Sequence, residues 1–256
     1  MIYTKNLILV CAGRDAVRAA EQGLPALHLC LRLTESGALE RIQAPTAQVR
    51  SLLGLCGPSA VPPACNADRL AADLAYEARR ISAPGVFADF EAGLAGGGML
   101  LSAFDQVLHE EGIPFYVPLE SGRALPHAVL TVSTALSGGS LTAYIASLQE
   151  EYGVSRIAAF LQPVSQDFML PSASPRGREL TEYDRTALLQ KTGAQAFFSR
   201  ELCARYFTYT DEEGRAHFVM FDDASTLEAK LMQLSSLKVP AVFALFPDAA
   251  PLLNLS

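Results

Sequence analysis

The chain has 256 residues, of which half are hydrophobic and 18% are charged, and its formal net charge is −7 at neutral pH. This length suits one large α/β domain. The acidic balance argues against a nucleic-acid partner, because phosphates attract a basic surface. No stretch approaches the roughly 20 apolar residues that a membrane-spanning helix needs, so we expect no membrane partner.

The first apolar run, at 7–12, is too short for the hydrophobic region of a signal peptide. We interpret it as a strand and expect a cytoplasmic protein. Further strands are predicted by apolar runs at 26–33, 85–90, 114–119, 128–133, 156–161, 217–222 and 240–246. Amphipathic stretches between them predict helices near 99–111, 139–152, 180–191 and 225–237. A further helix is expected to start at the cap Asn66 and to bury Leu70, Ala71, Leu74, Ala75 and Ala78.

Eight strands that alternate with helices favour a single (β/α)8 TIM-type barrel of parallel strands, forming one domain over 1–256. An open doubly wound sheet is the alternative, although no phosphate-binding Gly-x-Gly-x-x-Gly turn follows a strand. Two segments fall outside the repeat. The Pro- and Gly-rich run 54–65 is interpreted as a loop. Residues 205–222 are interpreted as a β-hairpin whose second arm enters the barrel.

The cysteines and histidines indicate neither a metal site nor a cofactor. The five cysteines are an odd number without metal-like spacing, so we expect free thiols. The four histidines form no His-x-x-x-His pair and no mixed Cys/His pattern, which argues against zinc. We therefore expect no metal and no cofactor. The oligomeric state is not predicted.

The predicted strand at 85–90 leads into two carboxylates that are two residues apart, at positions 89 and 91. Side chains alternate between the two faces of a strand, so Phe87, Asp89 and Glu91 share one face. Two carboxylates about 7 Å apart on one face repel each other. One of them then tends to keep its proton, as a general acid must, and we expect the pKa of Glu91 to be raised. The alternative is an ordinary helix cap.

Other polar residues follow predicted strands and could line the same mouth. They are Glu120, Gln162 and Asp222, each of which could instead be a cap or a loop anchor. Active sites of barrels lie at the carboxyl ends of the strands. We therefore expect Asp89, Glu91, Glu120 and Asp222 to converge in one pocket.

The segment from 193 to 246 resembles the C-terminal half of family 18 glycoside hydrolases, and most closely their spore-cortex peptidoglycan hydrolase branch. The motif residues are Gly193, Ala194, Tyr206, Phe207, Tyr209, Gly214, His217, Val219, Phe221, Asp223 and Lys230. The strand from Gly85 to Glu91 is similar to the catalytic Gly-x-x-x-Asp-x-Glu strand of the family. The resemblance covers about two-thirds of the chain and is weak before residue 66.

The resemblance implies substrate-assisted cleavage beside an N-acetylated sugar. Glu91 would protonate the leaving oxygen, the sugar's own acetamido oxygen would attack, and Asp89 would hold the acetamido N–H. Phe87, Tyr209, Asp223 and Phe246 are included among the substrate-binding residues by resemblance. The implied partner is a carbohydrate containing N-acetylglucosamine, and the branch implies an association with spores.

The chain also departs from the family pattern. Phe87 stands where the family usually has Asp or Asn, and the strand at 129–134 supplies hydroxyls where the family has Tyr-Asp. The chain contains no Trp, so Leu245 or Phe246 takes the place of the family's Trp at the floor of the sugar site.

Three functional hypotheses follow. The chain is either a divergent hydrolase of this family or a non-catalytic relative that binds a glycan or a partner protein. The third hypothesis is an unrelated barrel enzyme that uses Glu91 and Glu120 as a carboxylate pair. A distance of about 5 Å between the two carboxylates would indicate that one of them is a nucleophile, and about 6.5–9.5 Å that it activates a water.

Overall fold

Two β-sheets organise the structure, a closed barrel of parallel strands and a smaller antiparallel sheet. The computed structural model describes residues 6–11, 13–21, 23–42, 51–90, 94–171 and 177–253. The strands are β1 (Leu7–Cys11), β2 (Ala26–Leu33), β3 (Leu39–Arg41), β4 (Ser51–Cys56), β5 (Val86–Ala88), β6 (Phe115–Pro118), β7 (Val129–Ser133), β8 (Ile157–Leu161), β9 (Ser165–Leu170), β10 (Arg178–Glu179), β11 (Phe197–Ser199), β12 (Ala204–Thr210), β13 (Ala216–Phe221) and β14 (Val242–Leu245).

The helices lie mainly between the barrel strands. They are α1 (Gly13–Glu21), α2 (Ala67–Arg80), α3 (Gly98–Glu110), α4 (Leu119–Gly122), α5 (Leu141–Tyr152), α6 (Glu182–Thr192), α7 (Ala224–Ser236) and α8 (Phe246–Ala249), with 3₁₀ turns at Val154–Arg156 and Ala250–Leu253. In the described ranges, no helix combines the length and the apolar character needed to cross a bilayer.

Eight strands pair in parallel and close into a barrel, which confirms the predicted fold class. The order around the barrel is β1, β14, β8, β7, β6, β5, β4 and β2, and β2 pairs with β1 to close the ring. The short strand β3 pairs antiparallel with β2 beside the ring. Helices between successive parallel strands are the crossover connections that this topology requires.

The sequence assigned two barrel positions wrongly, although the count of eight barrel strands was right: it missed one barrel strand and placed another strand in the barrel. The third barrel strand is β4, whose last residues were predicted to be the start of a loop. Gly54 allows this strand to approach β2, because a Cβ there would lie 2.8 Å from the His28 carbonyl oxygen. The predicted strand at 217–222 corresponds to β13, which does not enter the barrel and pairs with β9 and β12 instead.

The antiparallel sheet is inserted between β8 and α7 of the barrel. Its strand order is β10, β9, β13, β12 and β11. The hairpin predicted at 205–222 is present as β12 and β13, but both of its arms belong to this inserted sheet. One face of the sheet packs on α6 through Phe207, Val219 and Phe221. The single-domain assignment stays a prediction.

The barrel strands bury both of their faces in separate apolar layers. The inner cluster fills the barrel and consists of Ile8, Leu27, Leu52, Phe87, Ala158, Ala241 and Phe243. Its centre is Phe243, whose ring lies edge-on to Phe87 at 4.8 Å and to Tyr116 at 5.1 Å between centroids. The outer cluster lies between strands and helices and includes Val86, Ala88 and Phe90. Burial on both faces explains the high apolar content of the chain.

A glycine in α4 should be essential for packing between that helix and the barrel. A Cβ at Gly122 would lie 2.4 Å from Cγ2 of Val117 and 2.5 Å from Cδ2 of Leu130, both buried. We expect Gly122→Ala to lower the free energy of unfolding by about 1–3 kcal/mol through overpacking, as measured by urea denaturation. Gly138→Ala is the control, since nothing lies within 4 Å of that Cβ position. Equal stability of the two variants would contradict this prediction.

Candidate active site at the barrel mouth

The acidic strand β5 directs its alternate side chains into the barrel, as its sequence predicts. Phe87 belongs to the inner cluster, whereas Val86, Ala88 and Phe90 belong to the outer cluster. Asp89 continues the parity of Phe87, is exposed, and donates its backbone N–H to the Leu55 carbonyl at 2.9 Å. Asp89 therefore lies at the carboxyl end of β5, on the side of the barrel interior. Glu91 lies outside the described residues.

Phe87 lies below this mouth. Its side chain is only 3% exposed and its ring packs against Phe243. The inclusion of Phe87 among the substrate-binding residues is therefore corrected: its ring fills the interior of the barrel.

The last barrel strand presents Leu245, not Phe246, at the mouth. Leu245 shares the parity of the inner residue Phe243 and is 44% exposed. Phe246 is the first residue of α8, is 5% exposed, and packs in the outer cluster. The substrate contact predicted for Phe246 is wrong because the strand ends one residue before it.

A polar pair links the mouth ends of β7 and β8. Ser133 pairs across the strands with Phe160, which packs against the inner cluster, and Gln162 lies two residues beyond Phe160. The Ser133 hydroxyl donates to the Gln162 side-chain carbonyl at 3.0 Å. The sequence identified Gln162 as a candidate and recognised that β7 offers hydroxyls. It did not predict that Ser133 would pair with Gln162.

Glu120 lies in the first turn of α4, after β6, and its side chain is exposed. Burial raises the pKa of the Tyr144 phenol on α5, and the negative charge of Glu120 raises it further. The charge of Glu120 therefore affects the pKa of a side chain on a neighbouring helix. The hypothesis that Glu91 and Glu120 form a catalytic pair depends on the distance between their carboxylates. Glu91 lies outside the described ranges, so this hypothesis stays a prediction.

Asp222 is part of a buried ion pair. Its carboxylate accepts from Lys230 Nζ at 2.7 Å, and both side chains are at most 1% exposed. The backbone N–H of Val164 and the hydroxyl of Thr226 donate to the same carboxylate, each at 2.8 Å. These bonds join the residue after β13 to α7 and to Val164, which directly precedes β9. Asp222 is therefore a buried structural group, and its convergence with Asp89 in one pocket stays a prediction.

Asp223 is the N-cap of α7 and pairs with Arg205. Burial acts to raise the pKa of its carboxyl, but hydrogen bonds from Ser225, from the Thr226 N–H and from Arg205 hold the pKa below its usual range. Asp223 thus caps α7, and the substrate contact implied for it by resemblance stays a prediction. Asp223 and Lys230, which belong to the motif that carries the resemblance, connect the inserted sheet to α7.

Tyr209 belongs to a hydrogen-bonded cluster on the α6 side of the inserted sheet. Its hydroxyl donates to Asp167 at 2.8 Å, and its ring stacks on His217 at 4.5 Å between centroids. The two ring nitrogens of His217 lie 2.8 Å from Asp167 and 3.3 Å from Asp211. Tyr209 thus links β12 to β9 within the inserted sheet, and its substrate-binding role stays a prediction. The sequence motif contained Tyr209 and His217, but no spacing signal indicated Asp167.

The Tyr209 phenol should make the inserted sheet less stable at high pH. Burial and the adjacent Asp167 raise its pKa from 10.0 to about 12. A raised folded pKa favours the protonated form, so this stabilisation is complete below pH 10 and is lost as the pH rises through about 12. The measurement subtracts the phenolate absorbance of Tyr209→Phe from that of wild type at each pH. We expect this difference to rise near pH 12. Tyr183→Phe, which removes an exposed phenol, should leave that component in place. Titration of Tyr209 near pH 10 would contradict this expectation.

Solved structures that superpose on this chain include glycoside hydrolases. A chitinase from Chromobacterium violaceum superposes with a TM-score of 0.60 at 15% identity, over 93% of this chain and 92% of that one. A family 18 N-acetylglucosaminidase from Paenibacillus barengoltzii gives 0.61 at 14% identity, over 97% and 98%. The spore cortex-lytic enzyme SleL from Bacillus cereus gives 0.60 at 14% identity, over 98% and 74%.

Comparison by sequence adds no closer relative, since no family model and no curated protein matches the chain. The similarity therefore lies in the fold, which includes the barrel and extends over nearly the whole chain. This chain is a divergent protein with the barrel fold of family 18 glycoside hydrolases, as the resemblance in its sequence predicted.

Proposed function

We propose that this protein hydrolyses glycans that contain N-acetylglucosamine, with Asp89 and Glu91 as its catalytic residues. The observation that carries the proposal is the position of Asp89, which is exposed at the carboxyl end of β5 on the side of the barrel interior. Active sites of barrel enzymes lie at this end. The solved structures that share the fold include a chitinase, an N-acetylglucosaminidase and a spore cortex-lytic enzyme.

In the proposed mechanism, the substrate supplies its own nucleophile. Glu91 donates a proton to the glycosidic oxygen while the acetamido oxygen attacks the anomeric carbon and the bond to the leaving sugar breaks. The Asp89 carboxylate accepts a hydrogen bond from the acetamido N–H and stabilises the positive charge of the oxazolinium intermediate. Water then adds to the anomeric carbon, and the Glu91 carboxylate takes its proton, which restores the acid. The reaction requires no cofactor.

A non-catalytic relative that binds a glycan or a partner protein is the second candidate function. It is favoured by the mouth ends of β7 and β8, where Ser133 bonds to Gln162 and only hydroxyls stand where the resemblance implies a Tyr-Asp pair. Sugars commonly stack on flat aromatic faces, so the exposed Leu245 and the covered Phe87 favour a partner protein within this candidate. The cytoplasmic location and the association with spores stay predictions from the sequence.

The deciding experiment compares cleavage with binding. The purified chain would be incubated with N-acetylglucosamine oligomers, with peptidoglycan fragments, and with the deacetylated glucosamine oligomers. Products would be followed by chromatography and binding by calorimetry. We expect cleavage of the acetylated substrates only, because the deacetylated chain lacks the acetamido nucleophile. Binding without cleavage would support glycan binding by the second candidate, whereas neither binding nor cleavage would overturn both glycan functions.

A further inference from the structure

A cavity opens at the end of the barrel opposite to Asp89. Its volume is about 320 Å³, and it lies between α3 and the first residues of β6 and β7. Its walls are largely apolar and include Ile113, Pro114, Phe115 and Val129. Because Asp89 lies at the carboxyl ends of the strands, this cavity is separate from the proposed active site. Its volume is at the lower end of the range for small-molecule sites.

A buried carboxylate lies in the wall of this cavity. Asp105 on α3 is 1% exposed, and its Oδ2 accepts the backbone N–H of His127 at 3.1 Å. Its Oδ1 is buried, and no described residue donates a hydrogen bond to it. Buried polar atoms in proteins are nearly always hydrogen-bonded. The unsatisfied oxygen therefore points to a ligand that brings a hydrogen-bond donor, and its negative charge selects a cation over an anion.

Two histidines at the rim exclude a simple metal site. The rings of His109 and His127 stack at 3.7 Å between centroids with an interplanar angle of 3°. Lone pairs of imidazole nitrogens lie in the ring planes, so two parallel rings at this separation cannot direct both lone pairs at one ion. Within the described ranges, no group of three His, Cys, Asp or Glu side chains is arranged to hold a metal ion.

We propose that this cavity binds a small organic ammonium ion with a short apolar body. In the bound state the ammonium group donates to Asp105 Oδ1, which the surrounding atoms cover in this structure and which a small local shift uncovers. The ammonium neutralises the buried carboxylate, which a neutral ligand cannot do. The hydrocarbon part packs against Ile113, Phe115 and Val129. The stacked rings of His109 and His127 form the polar rim. This site is independent of the proposed hydrolase activity.

The test uses benzylamine, which is cationic at neutral pH, with benzyl alcohol and benzoate as its neutral and anionic analogues. We expect benzylamine alone to give saturable shifts of the His109 and His127 imidazole signals in NMR spectra. Asp105→Asn keeps the side-chain oxygen that accepts from His127 but removes the charge, and should weaken binding at least tenfold. Glu110→Gln removes an exposed charge from the same helix and should leave binding unchanged.

A second variant keeps the test valid if Asp105→Asn fails to fold. His109 is exposed, so His109→Ala should fold, keep the carboxylate and still weaken benzylamine binding. The proposal is overturned if benzylamine shifts neither histidine signal at millimolar concentration, if benzoate or benzyl alcohol binds as well, or if a folded Asp105→Asn variant binds like wild type. Saturable binding of Zn²⁺ in the absence of benzylamine binding would overturn it in favour of a metal.

Discussion

Replacing Glu91 by glutamine is expected to reduce turnover of N-acetylglucosamine oligomers by about 10²- to 10⁴-fold, with little change in their binding. The amide keeps the size of the side chain but cannot donate a proton to the leaving oxygen, and general acid catalysis contributes a factor of this size. The measurement is kcat by product chromatography, together with the dissociation constant by calorimetry. A fall in kcat at constant affinity identifies a group that acts in the transition state.

Two further variants make this result specific. Asp89→Asn should cost more in rate than in binding, because it removes the charge that stabilises the oxazolinium intermediate. Glu150→Gln changes an exposed glutamate on α5 and should leave kcat unchanged. If wild type binds these oligomers without cleaving them and Glu91→Gln binds equally well, the glycan-binding hypothesis replaces the hydrolase.

Loss of the buried Lys230 ammonium should have the largest effect on stability. Lys230→Met leaves the Asp222 carboxylate in the interior without its cation, at the junction of β13, α7 and the start of β9. Removing one partner of a buried pair typically costs about 3–5 kcal/mol. We expect a decrease of this size in the free energy of unfolding, measured by urea denaturation.

The control and the double variant test the cause of that loss. Lys238 is exposed, so Lys238→Met should have a small effect. Asp222→Asn introduced together with Lys230→Met removes the uncompensated charge and should recover part of the stability, which a double-mutant cycle measures. If Lys230→Met is no less stable than Lys238→Met, the ion pair does not stabilise the junction.

Local patterns in the sequence predicted five of the described helices, and they did not predict α1, α4 or α8. Asn66 was expected to cap α2, and its side chain accepts the Arg69 N–H at 2.9 Å. The five residues predicted to form the apolar face of that helix are the residues that it buries. Helices α3, α5, α6 and α7 begin and end within two residues of their predicted bounds. A cap and a periodic apolar face depend on residues close in sequence, which is why a single sequence reveals them.

Strand membership and the roles of strand-end residues depended on tertiary contacts. The alternation of β13 is the same in either sheet, and only pairing with β9 and β12 excludes it from the barrel. Asp222 follows a strand, as a mouth residue would, yet Lys230 reaches it from α7.

The sequence by itself determined the class of fold, the parity of Phe87 and Asp89, and the helix that Asn66 caps, because each follows from local periodicity. The tertiary structure decided that β4 completes the barrel and that Asp222 is buried. It also placed Leu245 at the mouth in preference to Phe246. These outcomes depend on which distant segments meet, and sequence periodicity does not specify the partners of a strand or a charge.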